Sequence, residues 1–179
     1  MLNEQKGTLQ RRKSKKGCRV ALSKKNRLNR NFDASIKKPL TRKEEAKLEK
    51  ALTKKLWELL KRVVRFLYRR PDGFYTCYTC GKTITKNSDA HTSHFIAKSI
   101  CKAHMKYEIR NLRITCYVCN VINGGNGSYF GQQLREDHGQ EYVDMLFDLN
   151  KNETGESEII IFTRQYENLK KFAETQGII

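Results

Sequence analysis

The sequence of 179 residues predicts an α+β fold, with a small cysteine-stapled unit between a long basic helix and a set of C-terminal helices. Three observations carry this prediction. Apolar residues recur at helical spacing from Leu48 to Leu67. Two Cys-x-x-Cys pairs bracket a turn-rich stretch too poor in regular structure to stand unaided. Helical periodicity then resumes beyond Tyr129. With 38% hydrophobic residues the chain can build one modest core, so a single true domain with an appendage is expected.

The appendage comes first. Residues 1–38 are basic and poor in apolar side chains, with clusters such as Arg11-Arg12-Lys13 and Lys15-Lys16, and read as a flexible arm. Residues 39–72 form the basic helix. Thr41 caps the free amide of Glu44 while Glu44 reaches back, a capping box placed just after Pro39. Leu48, Leu52, Leu56, Leu59, Leu60, Val63 and Leu67 line one stripe, Lys and Arg occupy much of the remainder, and Pro71-Asp72-Gly73 ends the helix.

Residues 73–150 hold the stapled unit, with strand-type segments at Phe74–Tyr78 and Leu112–Thr115 and turns around Gly81 and Asn87. A helix from Tyr129 to Asp148 is expected to break at Gly139. In residues 151–179, Ile159–Phe162 reads as a short buried strand and Gln165–Glu174 as a final helix.

Charge is distributed unevenly. Residues 1–70 hold 24 Lys and Arg against 6 Asp and Glu, whereas residues 71–179 hold 12 against 13. An arm of this kind suits nucleic-acid phosphates, which attract Lys and Arg regardless of base sequence; a solvated tail or localisation signal is the plainer alternative. No apolar run approaches the ~20 residues of a membrane span and no secretory signal is recognisable, so a cytoplasmic protein without membrane partners is expected, in bacterial cytoplasm by default. In that reducing compartment paired cysteines point to metal ligation before disulfides.

Cys77-Tyr-Thr-Cys80 and Cys116-Tyr-Val-Cys119 each have the knuckle spacing that turns two thiolates towards one tetrahedral Zn²⁺. Four sulfurs leave no open coordination position, so the zinc is expected to be structural, and Cys18 and Cys101 are not expected to be ligands. Thirty-five residues separate Cys80 from Cys116, more than a simple ribbon needs. That insert carries His91, His94, His104 and Asn111, and Asn120 follows the second knuckle. Phosphodiester hydrolysis needs such groups: a base near neutral pH to activate water, and a divalent cation to neutralise the departing oxygen. A lone histidine is more often structural, so its context decides.

From Cys77 to Asp144 the chain resembles the NinG/Rap recombination family of lambdoid phages. The resemblance rests on Cys77, Cys80 and Gly81, on His94-Phe95, on Asn111, Cys116, Cys119 and Asn120, and continues through Gly125-Asn126, Tyr129, Leu134, Gly139-Gln140-Glu141 and Val143-Asp144. The knuckles, with Asn directly after the last Cys, also resemble phage endonuclease VII and the wider HNH class. The resemblance implies a zinc-stabilised ββα-metal (HNH-like) domain. It further implies His94 as general base, Asn111 as the residue ordering the catalytic loop, and Asn120 as a ligand of a catalytic Mg²⁺ or Mn²⁺. Many HNH nucleases carry an acidic ligand immediately before the histidine, where this chain has Ser93; NinG-type sequences carry Gly there and Asp three residues before the histidine, where this chain has His91. The second ligand is therefore His91 as first choice and Asp89 as second.

The resemblance implies a structure-specific endonuclease for branched recombination intermediates, of Holliday-junction or D-loop type, with DNA and phage recombination proteins as partners. A homodimer would match paired cuts, and the apolar stripe of the basic helix could supply its contact. Tyr75, Tyr78, Tyr117, Tyr129 and Phe130 could stack on unpaired bases, although aromatics so spaced are more often core. The rival readings are a non-catalytic zinc-stabilised recombination accessory and a homing or restriction-type HNH enzyme, which would need a base-reading module that the sequence does not reveal.

Overall fold

The computed structural model describes residues 40–179. The arm at residues 1–38 and Cys18 lie outside the described residues. Helix α1 (Arg42–Tyr68) opens on the expected capping box: the Glu44 amide donates to Thr41 Oγ1 at 3.4 Å and the Thr41 amide donates to Glu44 Oε2 at 2.8 Å. It ends at Tyr68 because Arg70 precedes Pro71, whose ring disfavours helical backbone in the residue before it. Leu56, Leu59, Leu60, Val63 and Val64 form its buried face. The expected stripe fails at both ends, since Leu48 and Leu67 are exposed. Helical periodicity marks a face but not how far the packing partner extends along it.

After α1 come two short hairpins. Strands β1 (Tyr75–Thr76) and β2 (Thr83–Ile84) pair antiparallel around the first knuckle, with Gly81 at φ 69° in its turn. Strands β3 (Ala90–His94) and β4 (Leu112–Cys116) pair antiparallel from Ala90↔Cys116 to His94↔Leu112. Helices α2 (Gly127–His138), α3 (Gln140–Lys151) and α4 (Glu158–Thr175) follow, and Gly139 at φ 85° breaks the first two apart as expected. The architecture is thus α+β, with long helices at its N- and C-terminal sides and a small β region between. No helix among the described residues is long and apolar enough to cross a membrane.

The expected strand at Ile159–Phe162 is instead the first turn of α4. Three consecutive isoleucines favour a strand locally, but burial follows helical spacing: Phe162, Leu169 and Ala173 are buried and Ile160 is half exposed. Packing against α1 and around Tyr107, whose ring meets Phe162 edge-on at 5.2 Å, outweighs the local preference.

Two apolar clusters hold these elements. One joins α1, both hairpins and α4; the other joins α2 and α3 to Ile96, Cys101 and Met105 in the β3–β4 connection. That connection is therefore clamped from both sides, and it is the segment that follows His94.

Candidate functional site

Cys77 follows β1, Cys80 lies in the knuckle turn, Cys116 ends β4, and Cys119 sits in a π-helical turn (Val118–Ile122). Their four sulfurs all lie within 4.8 Å of one another, with Cys80 and Cys116 at 4.0 Å. Tetrahedral zinc with bonds of about 2.3 Å would set the sulfurs about 3.8 Å apart, so only a small contraction separates the quartet from that geometry.

Backbone amides already point at the sulfurs: Cys116 N–H to Cys77 Sγ at 3.2 Å and Cys119 N–H to Cys116 Sγ at 3.5 Å. Burial resists ionisation of Cys77, but hydrogen bonds from the Thr79 hydroxyl and from the Cys116 and Cys80 amides outweigh it and bring the thiol down to about 6. Cys80 moves the other way, pushed up to about 12 by burial and by the neighbouring sulfurs of Cys77 and Cys119. Burial also raises Cys119. One thiolate thus forms readily and holds back the next, a conflict that a shared cation relieves. The donor set fits a metal ion. Cys101 is elsewhere, buried with its thiol donating to the Ile96 carbonyl at 3.2 Å.

His94 ends β3. Its ring stacks on Trp57 of α1, with centroids 5.6 Å apart and planes 13° from parallel. Its Nε2 lies 2.9 Å from the Lys106 carbonyl, which can only accept, so Nε2 carries the hydrogen and Nδ1 keeps the lone pair. Burial lowers its pKa; the Lys106 carbonyl opposes this and the Lys98 charge adds to it. Lys98 itself lies over Trp57 and Tyr107 at 5.2 and 5.3 Å. Neither Trp57 nor Lys98 announced itself in the sequence: one reads as a helix position, the other as one lysine among many.

Asn111 is fully buried. Its Oδ1 accepts from Ile96 N–H at 2.8 Å, its Nδ2 donates to Ile96 O at 3.1 Å, and its own carbonyl accepts from Phe95 N–H at 2.9 Å. One side chain therefore holds both polar groups of the residue two beyond His94.

His91 and Ser93, two apart in β3, share the strand face opposite that of His94. Asn120 Nδ2 lies 3.2 Å from His91 Nδ1, and Ser93 Oγ donates to Asn120 Oδ1 at 2.6 Å. Ser93 also bonds the Thr115 hydroxyl of β4. His91 and Asn120 are thus brought together. Asp89 makes no hydrogen bond to either; it accepts from the Ser88 hydroxyl at 3.0 Å and lines a groove with Cys80, Lys82 and Cys116. His104, grouped with these residues by sequence proximity, lies apart, its Nε2 on the Leu149 carbonyl at 2.6 Å and its own carbonyl accepting from Gln165. Of the aromatics considered for stacking, Tyr75 and Phe130 are core, whereas Tyr117 and Tyr129 are exposed.

Fold and site together define a class: an α+β protein in which two cysteine knuckles form a cluster able to chelate a metal ion, flanking a histidine-bearing hairpin. The model of one family, described as "NinG: Bacteriophage Lambda NinG protein", matches residues 3–175. The chain belongs to the NinG family. No curated protein and no solved structure matched it.

Proposed function

We propose that the protein is a metal-dependent DNA endonuclease of the HNH type acting on branched recombination intermediates, with Zn²⁺ in the cysteine quartet and His94 as general base. The observation that carries the reading is the state of His94. One ring nitrogen is committed to a backbone carbonyl and the other keeps its lone pair. Burial holds the ring neutral near pH 7, so Nδ1 can accept a proton from water.

The supporting residues have separable tasks. Trp57 fixes the plane of the ring, and Asn111 fixes the chain that follows it. Asn120 and His91, on the strand face opposite that of His94, offer an amide oxygen and an imidazole nitrogen as ligands for a catalytic Mg²⁺ or Mn²⁺, so a shared phosphate would have to lie across the end of β3, where His94 closes the strand. Such an ion, when bound, supplies positive charge for the developing phosphorane and the leaving oxygen. The ββα-metal arrangement is read from β3, β4 and the following knuckle turn in the light of family membership.

A second reading has its own observation. Among the described residues no carboxylate hydrogen-bonds His91, Ser93 or Asn120, and their polar atoms bond one another, as in a DNA-binding accessory that does not cut. Cleavage of labelled four-way junction and matched linear duplex with Mg²⁺ or Mn²⁺ separates the two. Metal-dependent junction cutting that disappears in His94→Ala protein with its zinc retained supports the nuclease. Binding without cutting in either metal supports the accessory, and preference for linear duplex would point to the restriction-type reading.

A further inference from the structure

We propose that the His91–Ser93–Asn120 cluster is a metal site lacking its own negative charge, so that it takes up a divalent cation only together with a DNA phosphate. The inference rests on the nuclease reading and concerns how that site acquires its ion.

The cluster is built from neutral groups. Ser93 and Thr115 are buried, at 2% and 0% exposure. The single hydroxyl hydrogen of Ser93 goes to Asn120 Oδ1, so the Thr115 hydroxyl must donate to Ser93 Oγ. A one-directional chain therefore runs from Thr115 through Ser93 to Asn120, whose amide hydrogen continues to His91 Nδ1. Each link polarises the next, and no atom in it is left asking for a cation.

Among the described residues no carboxylate is hydrogen-bonded to His91, Ser93, Thr115 or Asn120. Among the described residues only the cysteine quartet gathers three or more Cys, His, Asp or Glu ligand atoms. The register partner of Ser93 is Arg113, 3% exposed and absent from the ion pairs of the described residues. Its guanidinium bonds the Arg110 and Leu112 carbonyls and His138 Nε2 instead. The residue opposite Ser93 in the hairpin thus brings no carboxylate to the cluster.

Hard divalent cations are ordinarily held by carboxylate oxygens, with waters and, for Mg²⁺, substrate phosphates completing the shell, so a site without a carboxylate depends the more on the phosphate. With Asn120 Oδ1 and His91 Nδ1 already engaged and no anion in place, an ion arriving alone must break internal hydrogen bonds for neutral donors only. A phosphate oxygen changes that balance. By linkage, whatever factor DNA adds to metal affinity, the metal adds to DNA affinity.

The test is direct binding, with no turnover. Mn²⁺ is titrated into full-length, zinc-loaded His94→Ala protein, and free Mn²⁺ is read by its paramagnetic resonance signal with and without four-way junction DNA. The same titration on His91→Ala/His94→Ala protein accounts for ions condensed on the DNA itself. We expect junction DNA to tighten Mn²⁺ binding at least tenfold beyond that control, and Mn²⁺ to tighten junction binding by the same factor. Ser93→Asp should raise DNA-free Mn²⁺ affinity at least tenfold and shrink the DNA effect. Should that variant fold poorly, Ser93→Ala, which frees Asn120 Oδ1 without adding charge, should retain the DNA dependence. Equal, stoichiometric Mn²⁺ uptake with and without DNA, lost in the His91→Ala control, overturns the inference and leaves the nuclease reading standing. No uptake beyond the control in either case also overturns it, and junction cleavage by the wild type then judges the nuclease reading independently.

Discussion

Replacing Asn111 tests whether the chain after His94 is held by one side chain. In Asn111→Ala the Ile96 amide and carbonyl both lose their partner in a fully buried setting. An unsatisfied buried polar group costs about 1–3 kcal/mol, so two of them cost roughly 2–5 kcal/mol once the loop has relaxed. For a domain of this size each kcal/mol shifts Tm by roughly 3–5 °C, which predicts a fall of roughly 6–25 °C in a calorimetric or dichroism melt. Asn111→Asp divides the effect. It keeps an oxygen for the Ile96 amide, but sets a second oxygen against the Ile96 carbonyl where Nδ2 had donated. It should therefore be destabilising at pH 7 and partly recover as acid protonates the new carboxyl, whereas Asn111→Ala should show no such recovery. A loss below about 1 kcal/mol in Asn111→Ala, or indistinguishable pH profiles for the two variants, would refute the clamp.

The pH dependence of His94 has a definite sign. Its folded pKa lies below the unfolded value of about 6.5, so its stabilising contribution is complete above pH 6.5 and is lost as pH falls from there towards the folded pKa. Denaturant midpoints measured against pH should lose that slope in His94→Gln. Because burial is the main cause of the shift, Trp57→Ala should move the acid limb of junction cleavage to higher pH. Removing the metal from the quartet with a thiol reagent in the presence of a zinc indicator should release one ion per chain and lower Tm, and Cys119→Ser should abolish that release. Residues 160 and 162 discriminate helix from strand: Ile160→Lys, half exposed in α4, should alter stability by no more than about 0.5 kcal/mol. Phe162→Ala should cost about 3–5 kcal/mol in urea unfolding, whereas in a strand both residues would share one face and respond alike.

Local signals survived into the structure where the chemistry they report is local. The Thr41–Glu44 box, the Pro71 stop and the Gly139 break each involve neighbours in sequence, and each is present. The cysteine quartet was legible because ligand spacing is itself a local rule applied twice. What escaped depended on partners distant in the chain. Strand β3 reads Ala-His-Thr-Ser-His, with little strand propensity, and exists because β4 supplies its ladder. Ile159–Phe162 misled in the opposite direction, since its β-branched run is overruled by α1 and Tyr107. At the site, grouping by proximity drew in His104, which lies elsewhere, and missed Trp57, 37 residues before His94 in the chain.

The two candidate metal positions obey opposite electrostatic logic, yet share one short piece of backbone. Cys119 and Asn120 are consecutive in the π-helical turn that closes the second knuckle. The quartet concentrates ionisable sulfur able to chelate a metal ion, while the neighbouring cluster is built of neutral groups that hydrogen-bond one another. Coupling between them would be reciprocal in free energy but unequal in structural consequence, because an ion in the quartet would hold the turn itself whereas the cluster adds hydrogen bonds to one residue of it. Removing an ion from the quartet should unfix Cys119, and with it the placement of Asn120 against Ser93 and His91. Changes at His91 or Ser93 remove hydrogen bonds from Asn120 but no sulfur from the quartet. On the proposed reading, a turn anchored at one end by zinc would present a weak, conditional ligand at the other without relying on that ligand for its fold, which would leave Asn120 free to give up its internal hydrogen bonds when metal and phosphate arrive together.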